Sequence, residues 1–125
     1  MITTDEVLIR SILEDPTVID GFSDGEVIKD LTGGIYFYIP DVGLFPSVLR
    51  GNVLSCHAAI PKKNRGIKAV KAVKILIKEL VDLGYELETR ARHENKAAHR
   101  FNVMVGFVCY DTDSKHRLYR HKLNG

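Results

Sequence analysis

Residues Val53–Ala72 read VLSCHAAIPKKNRGIKAVKA, and their order decides the fold. An apolar strand-like run, Val53–Ile60, meets a basic loop opened by Pro61, and the loop delivers the chain into a lysine-striped helix. The helical pattern persists from Ile67 to Leu83. Lys68, Lys71, Lys74, Lys78, Glu79 and Asp82 form a narrow polar stripe, and nearly everything else is apolar. Such a helix packs a wide face against a sheet, and Gly84 stops it. Next, Tyr85, Leu87, Thr89 and Ala91 alternate with Glu86, Glu88, Arg90 and Arg92, the period of a strand with one polar face. Strand, helix and strand in succession predict a parallel, right-handed crossover.

Hairpins are expected on both sides of this unit. Upstream, Ile35–Ile39 is β-branched and aromatic and ends at Pro40, and Phe45–Leu49 joins Val53–Ile60 through Arg50-Gly51-Asn52. Downstream, Phe107–Tyr110 and Arg117–Leu123 flank the polar turn Asp111–Lys115. At the start, Thr4 is the expected N-cap of a helix reaching about Leu13, with no strand before it. Pro16 restarts the chain into a helix or turn through Ile19 to Phe22, and Asp24-Gly25 and Gly33-Gly34 bracket a short Val27–Leu31 segment. The predicted class is α/β (α+β): a mixed, mostly antiparallel sheet with a central parallel pair and flanking helices.

At 125 residues the chain is expected to form a single domain, residues 1–125. Hydrophobic content of 45% with 27% charged residues excludes disorder. A net charge of +2 is too small to imply nucleic acid, although Lys62–Lys78 is densely basic; its lysines read as the solvated face of the helix. No secretory leader or membrane-length apolar run is visible, so a soluble, cytoplasmic protein without a membrane partner is expected. Cys56 and Cys109 lie in apolar runs without metal-ligand spacing, and both read as buried free thiols.

The loop carries the first chemical hint. Glycine at a helix mouth lets a ligand approach backbone without meeting a Cβ. The helix's first turn offers free N–H groups and partial positive charge to a phosphate, and Lys62, Lys63 and Arg65 add full charges. A plain tight turn would use Gly66 in the same way.

Further along stand Asn95-Lys96-Ala97-Ala98-His99-Arg100-Phe101 and Gly106-Phe107. Together with Lys63-Asn64-Arg65-Gly66-Ile67-Lys68, they resemble the GNAT superfamily of N-acetyltransferases over roughly Val53 to Leu123. Members carry an Arg/Gln-x-x-Gly-x-Gly/Ala loop after one strand. After the next strand comes a helix of the form Asn-x-x-Ala, with Gly-Phe beyond it. The resemblance implies a GNAT-like fold in which Val53–Ile60 and Tyr85–Ala91 splay apart around acetyl-coenzyme A. It places the backbone of Ala58, Ala59 and Ile60 along the pantetheine arm. Lys63, Arg65, Gly66, Ile67, Lys68 and Ala69 would lie at the phosphates, with Asn95 across the arm. Lys68 stands where the family has Gly or Ala, and Asn102 where many members have a tyrosine that protonates the leaving thiolate; an amide has no such proton to give.

The function so implied is transfer of acetyl from acetyl-coenzyme A to an amine, on a small molecule or a protein. Acyl transfer also needs a base and a proton donor. His57 on the cleft-wall strand is a candidate base, because imidazole suits that role near neutrality. Glu88 on the facing strand is an alternative, and Tyr110 is the candidate replacement for the missing tyrosine. Each has a plainer explanation as a satisfied, solvated or packed side chain. The competing reading is a GNAT-fold binding or assembly module without catalysis. Compact, divergent chains of this kind also resemble bacteriophage-encoded proteins, some of them virion-associated, with assembly proteins as partners. The basic tail His116–Lys122 alternates like an exposed strand, either an edge protected by charge or a docking surface for a partner.

Overall fold

The computed structural model describes residues 1–19 and 31–121. Strands Ile2–Thr3 (β1), Ile35–Ile39 (β2), Gly43–Arg50 (β3), Val53–Cys56 (β4), Glu86–Arg92 (β5), Val108–Thr112 (β6) and His116–His121 (β7) form one sheet. Its order is β1-β2-β3-β4-β5-β7-β6. Neighbours are antiparallel except β4 and β5, which run parallel with Val53 opposite Glu86 and Ser55 opposite Glu88. Helix Ile67–Asp82 (α3) is the crossover between them. The mixed, mostly antiparallel sheet with one parallel pair is the architecture the hydrophobic pattern predicts.

The sheet buries both faces. On one, Val73, Ile77 and Leu80 of α3 pack on Phe45, Leu54, Leu87 and Ala91, joined by Ala98 and Phe101 of helix Lys96–Met104 (α4). On the other, Ile9 and Leu13 of helix Glu6–Leu13 (α1) and Val18 of helix Pro16–Ile19 (α2) pack on Tyr36, Leu44 and Ala59. A buried polar link also fixes α4. The carbonyl of His93 can only accept, so His99 Nε2–H donates to it at 3.2 Å; Nδ1 then accepts the Tyr119 hydroxyl at 2.7 Å. Among the described residues no helix is long and apolar enough to cross a membrane.

Several boundaries differ from the sequence reading, each for a local reason. A short first strand does precede α1, because Ile2 and Thr3 pair with Phe37 and Tyr36. The N-cap is Asp5 rather than Thr4, since the Asp5 carboxylate accepts the Leu8 N–H. The strand expected over Val53–Ile60 ends at Cys56. Helix α4 is followed by a strand beginning at Val108 rather than Phe107, because Phe107 N–H is used by the Asn102 carbonyl. α3 buries a narrower face than its composition implies, leaving Ile67 and Ile75 exposed. The segment expected over Val27–Leu31, the turn reaching Phe22 and the end of the last strand at Leu123 fall wholly or partly outside the described residues.

The cysteines also part company. Cys56 is 1% exposed, and burial pushes its thiol far above the ordinary range, with Glu88 adding to the effect. Cys109 is exposed instead of buried, because β6 is an edge strand with solvent on both faces. A thiol-labelling time course should therefore show one thiol reacting at once and a second only on unfolding. Two fast thiols would contradict this packing.

Candidate functional site

The parallel pair opens where the crossover motif begins. Ladder pairing between β4 and β5 ends at Ser55 and Glu88, yet β5 continues to Arg92 against β7. The chain leaving β4 remains tied to β3 instead. His57 N–H donates to Pro46 O at 3.0 Å, and Ala59 exchanges both backbone bonds with Leu44, continuing the register of the β3–β4 ladder. Gly43 permits this approach, because a Cβ there would collide with the Ala59 carbonyl oxygen. Backbone groups alternate direction along an extended chain. With 57 and 59 turned to β3, the N–H and C=O of Ala58 face the gap left by β5.

The gap is a cleft of about 1110 Å³, walled by His57, Ala58 and Ile60 on one side and by Thr89, Arg90, Ala91 and Arg92 on the other. Gly66, Ile67, Ala69 and Val70 close one end, and Asn95, Ala98, Phe101 and Asn102 of α4 cover it. Small-molecule pockets span roughly 300–1,000 Å³, so this volume suits a long, nucleotide-sized ligand. Thr17 of α2 and His116 of β7 complete the rim.

At the α3 end the helix starts abruptly. Its N-cap, Gly66, has φ 136°, a region that favours glycine, and no side chain caps the helix. The first intrahelical bond runs from Val70 N–H to Gly66 O at 3.1 Å, so the N–H groups of Ile67, Lys68 and Ala69 precede the ladder. α4 is different: Asn95 Oδ1 accepts the Ala98 N–H at 3.1 Å, capping that helix while Asn95 also lines the cleft.

The basic loop is braced from outside. Thr17 Oγ1 accepts the Lys62 N–H at 2.9 Å, and Asn64 Nδ2 donates to Val42 O at 3.1 Å. Arg65 donates through Nε to Ile60 O at 3.0 Å and through its second nitrogen to Thr17 O at 2.8 Å. Its guanidinium is thus a clamp joining α2, the end of the β4 segment and the α3 mouth, while its charge stays at the mouth. Arg65→Ala should lower stability by about 1–3 kcal/mol, from two lost charge-assisted bonds to partly exposed carbonyls. Arg65→Lys should recover little, since one ammonium on a flexible stem does not reproduce the planar fork. Equal denaturation midpoints for all three proteins would refute the clamp.

The sequence-derived residues divide by position. His57, Ala58, Ile60, Arg65, Gly66, Ile67, Ala69 and Asn95 line the cleft together, as does Asn102. Ala59 is fully buried and spends its backbone on Leu44. Lys63 and Lys68 are exposed outside the lining, so Lys68 does not crowd the mouth. Glu88 sits at the last parallel rung, behind the cleft, accepting the Ser55 hydroxyl at 2.9 Å. Tyr110 is on edge strand β6, 48% exposed, with the Arg120 guanidinium 4.5 Å above its ring. Thr17, Gly43, Arg90 and Arg92 were not singled out from sequence. Only the period-2 placement of the arginines on a strand facing the gap pointed to them.

No family model matches the sequence, and no curated protein matches it. Solved structures do. A protein assigned to the GNAT acetyltransferase family, from Desulfovibrio desulfuricans, superposes with a TM-score of 0.72 at 12% identity, covering 98% of this chain and 96% of that one. The Bacillus subtilis acetyltransferase solved in complex with CoA gives 0.69 at 12% identity, over 99% of this chain and 97% of that one. The PaiA N-acetyltransferase of Thermoplasma acidophilum, solved with coenzyme A, gives 0.57 at 16% identity over 66% of this chain. This chain spans only 54% of that enzyme. Similarity at such identities is similarity of fold. The described strands and helices, and the parallel pair that parts around a cleft, are those of the GNAT N-acetyltransferase fold.

Proposed function

We propose that this protein binds acetyl-coenzyme A in the cleft and transfers the acetyl group to an amine. One observation carries the reading: the gap between β4 and β5 runs from an unpaired backbone segment at Ala58 to an uncapped helix start at Gly66. From Ser55 to Ile60 an extended chain covers about 17 Å, the scale of a pantetheine arm. When bound, acetyl-coenzyme A supplies the acetyl group as a thioester. The N–H groups of Ile67, Lys68 and Ala69, with the helix dipole, would hold its phosphates. Ala58 offers one N–H and one C=O to the amides of the arm, and Asn95 faces it from α4.

His57 is placed to take the proton that the attacking amine must lose. The Asn102 amide has no proton to yield, so the leaving sulfur would take its proton from water and turnover would be slow. Glu88 and Tyr110 stand outside the cleft lining and take no direct part.

Calorimetric titration with acetyl-coenzyme A tests the reading. One site per chain is expected, with competition from coenzyme A and loss of affinity at high salt, as phosphate recognition requires. Absence of binding by folded protein would overturn it. Tight binding without acetylation of any amine would favour the non-catalytic module instead.

A further inference from the structure

Five cationic side chains, Lys62, Arg65, Arg90, Arg92 and Arg100, and one carboxylate, Glu94, line the cleft. Lys62 and Arg65 stand in the loop before α3 and Arg100 on α4, whereas Arg90 and Arg92 stand on β5. On β5, Leu87 and Ala91 point into the core beneath α3, so Glu86, Glu88, Arg90 and Arg92 share the opposite face. That face carries two carboxylates up to the point where the strands part, then two guanidinium groups beyond it. We infer that the acceptor is a small amine bearing its own anion, a carboxylate or a phosphate, and that Arg90 holds this anion.

Three observations support this assignment, which rests on the acetyltransferase reading above. First, the charges around Arg90 are already committed. Arg92 Nε pairs with Glu94 at 3.2 Å, and Glu88 takes the Ser55 hydroxyl and faces Arg120 at 3.9 Å. Arg90 is exposed, and its side chain has no hydrogen bond or ion pair among the described residues. Second, the neighbouring strand supplies no carboxylate at that level. Arg90 lies opposite Leu118, and the flanking positions of β7 on that face are His116 and Arg120. Third, the arrangement is polar along one line. Glu88 and Arg90 are two residues apart on one strand face, about 6.7 Å.

With the reactive end of the arm where the strands part, an amine beside His57, two residues past the Ser55–Glu88 rung, puts a group a few bonds away within reach of Arg90. A guanidinium fork matches carboxylate and phosphate oxygens in pairs. A polyamine or a lysine-rich peptide would instead press cations against Arg90 and Arg92.

The test uses matched amines that differ in the anion: L-lysine against cadaverine, L-alanine against L-alaninamide, and phosphoethanolamine against ethanolamine. Release of the coenzyme A thiol reads turnover, and calorimetric titration of the coenzyme-A-loaded protein reads binding. The anionic member of at least one pair should be used with kcat/KM at least about tenfold higher, a difference of about 1.4 kcal/mol. The pair that responds tells carboxylate from phosphate. Arg90→Ala and Arg90→Glu should raise KM for that acceptor at least about tenfold, with little change in kcat or in affinity for acetyl-coenzyme A. Arg90→Lys should recover part of the loss. The inference falls if the uncharged or cationic members are preferred, or if Arg90→Glu leaves KM unchanged. It also falls if acetyl-coenzyme A binds while no anionic amine is bound or acetylated. Failure to bind acetyl-coenzyme A removes the acetyltransferase reading itself, and this inference with it.

Discussion

Replacing Gly66 with valine is expected to abolish coenzyme A binding while leaving the sheet intact. Gly66 holds φ 136°, where a β-branched residue is strained by about 1–3 kcal/mol. Apart from its chain neighbours, a Cβ at Gly66 would meet no described atom within 4 Å, so it would not collide with the fold. It projects at the mouth of α3, where the N–H groups of Ile67 to Ala69 are open. Relief of the strain does not rescue the site, because a flip to negative φ swings the first turn away from the cleft. Gly84 supplies the matched control: it has φ 100°, equally open space around a Cβ, and lies beyond the far end of the same helix. Gly84→Val should lose comparable stability and keep full affinity. If Gly66→Val binds coenzyme A as the parent does, this loop is not the phosphate site. Equal loss of affinity in both variants would trace the effect to general destabilisation.

The parts legible in the sequence were those written in short-range periodicity. The polar stripe of α3 and the alternation in β5 each repeat within one element, and their order alone dictates a parallel crossover. Gly66 and Asn95 were legible because helix ends have their own local chemistry. The exact splitting point was not. His57-Ala58-Ala59-Ile60 looks like more strand, and with respect to β3 the register continues through Ala59. Periodicity reports that a chain is extended and not which of its two neighbours it has left. The bracing role of Arg65 was not legible beside Gly66, because one of its partners is a carbonyl 48 residues away in sequence. Cys109 was read as buried because β6 is apolar in part; its position at the sheet edge is a property of strand order, which no local window contains. Arg90 and Arg92 looked like an ordinary solvated strand face until the gap beside them was known.

His57→Ala is expected to lower kcat by about 10²–10⁴-fold, the usual loss when a positioned base is removed. Among the three residues first considered for catalysis, His57 alone lines the cleft. Its backbone N–H is fixed on Pro46 O at 3.0 Å, in the segment that keeps its hold on β3 after parting from β5. The residue is therefore held in place without help from a bound ligand, and truncating its side chain leaves that anchor untouched. Affinity for acetyl-coenzyme A should stay at the parent value, since in the proposed binding mode the arm meets the Ala58 backbone and the phosphates meet α3. Tyr110→Phe should leave turnover unchanged, because the ring stacks beneath Arg120 on the edge strand. Added imidazole should restore part of the activity of His57→Ala, a rescue that a merely structural histidine would not permit. Turnover at the parent rate in His57→Ala would show that water alone serves as the base, and the role assigned to this histidine would be lost. A fall in acetyl-coenzyme A affinity that matches the fall in turnover would place His57 in binding instead, as a wall of the cleft and not as its base.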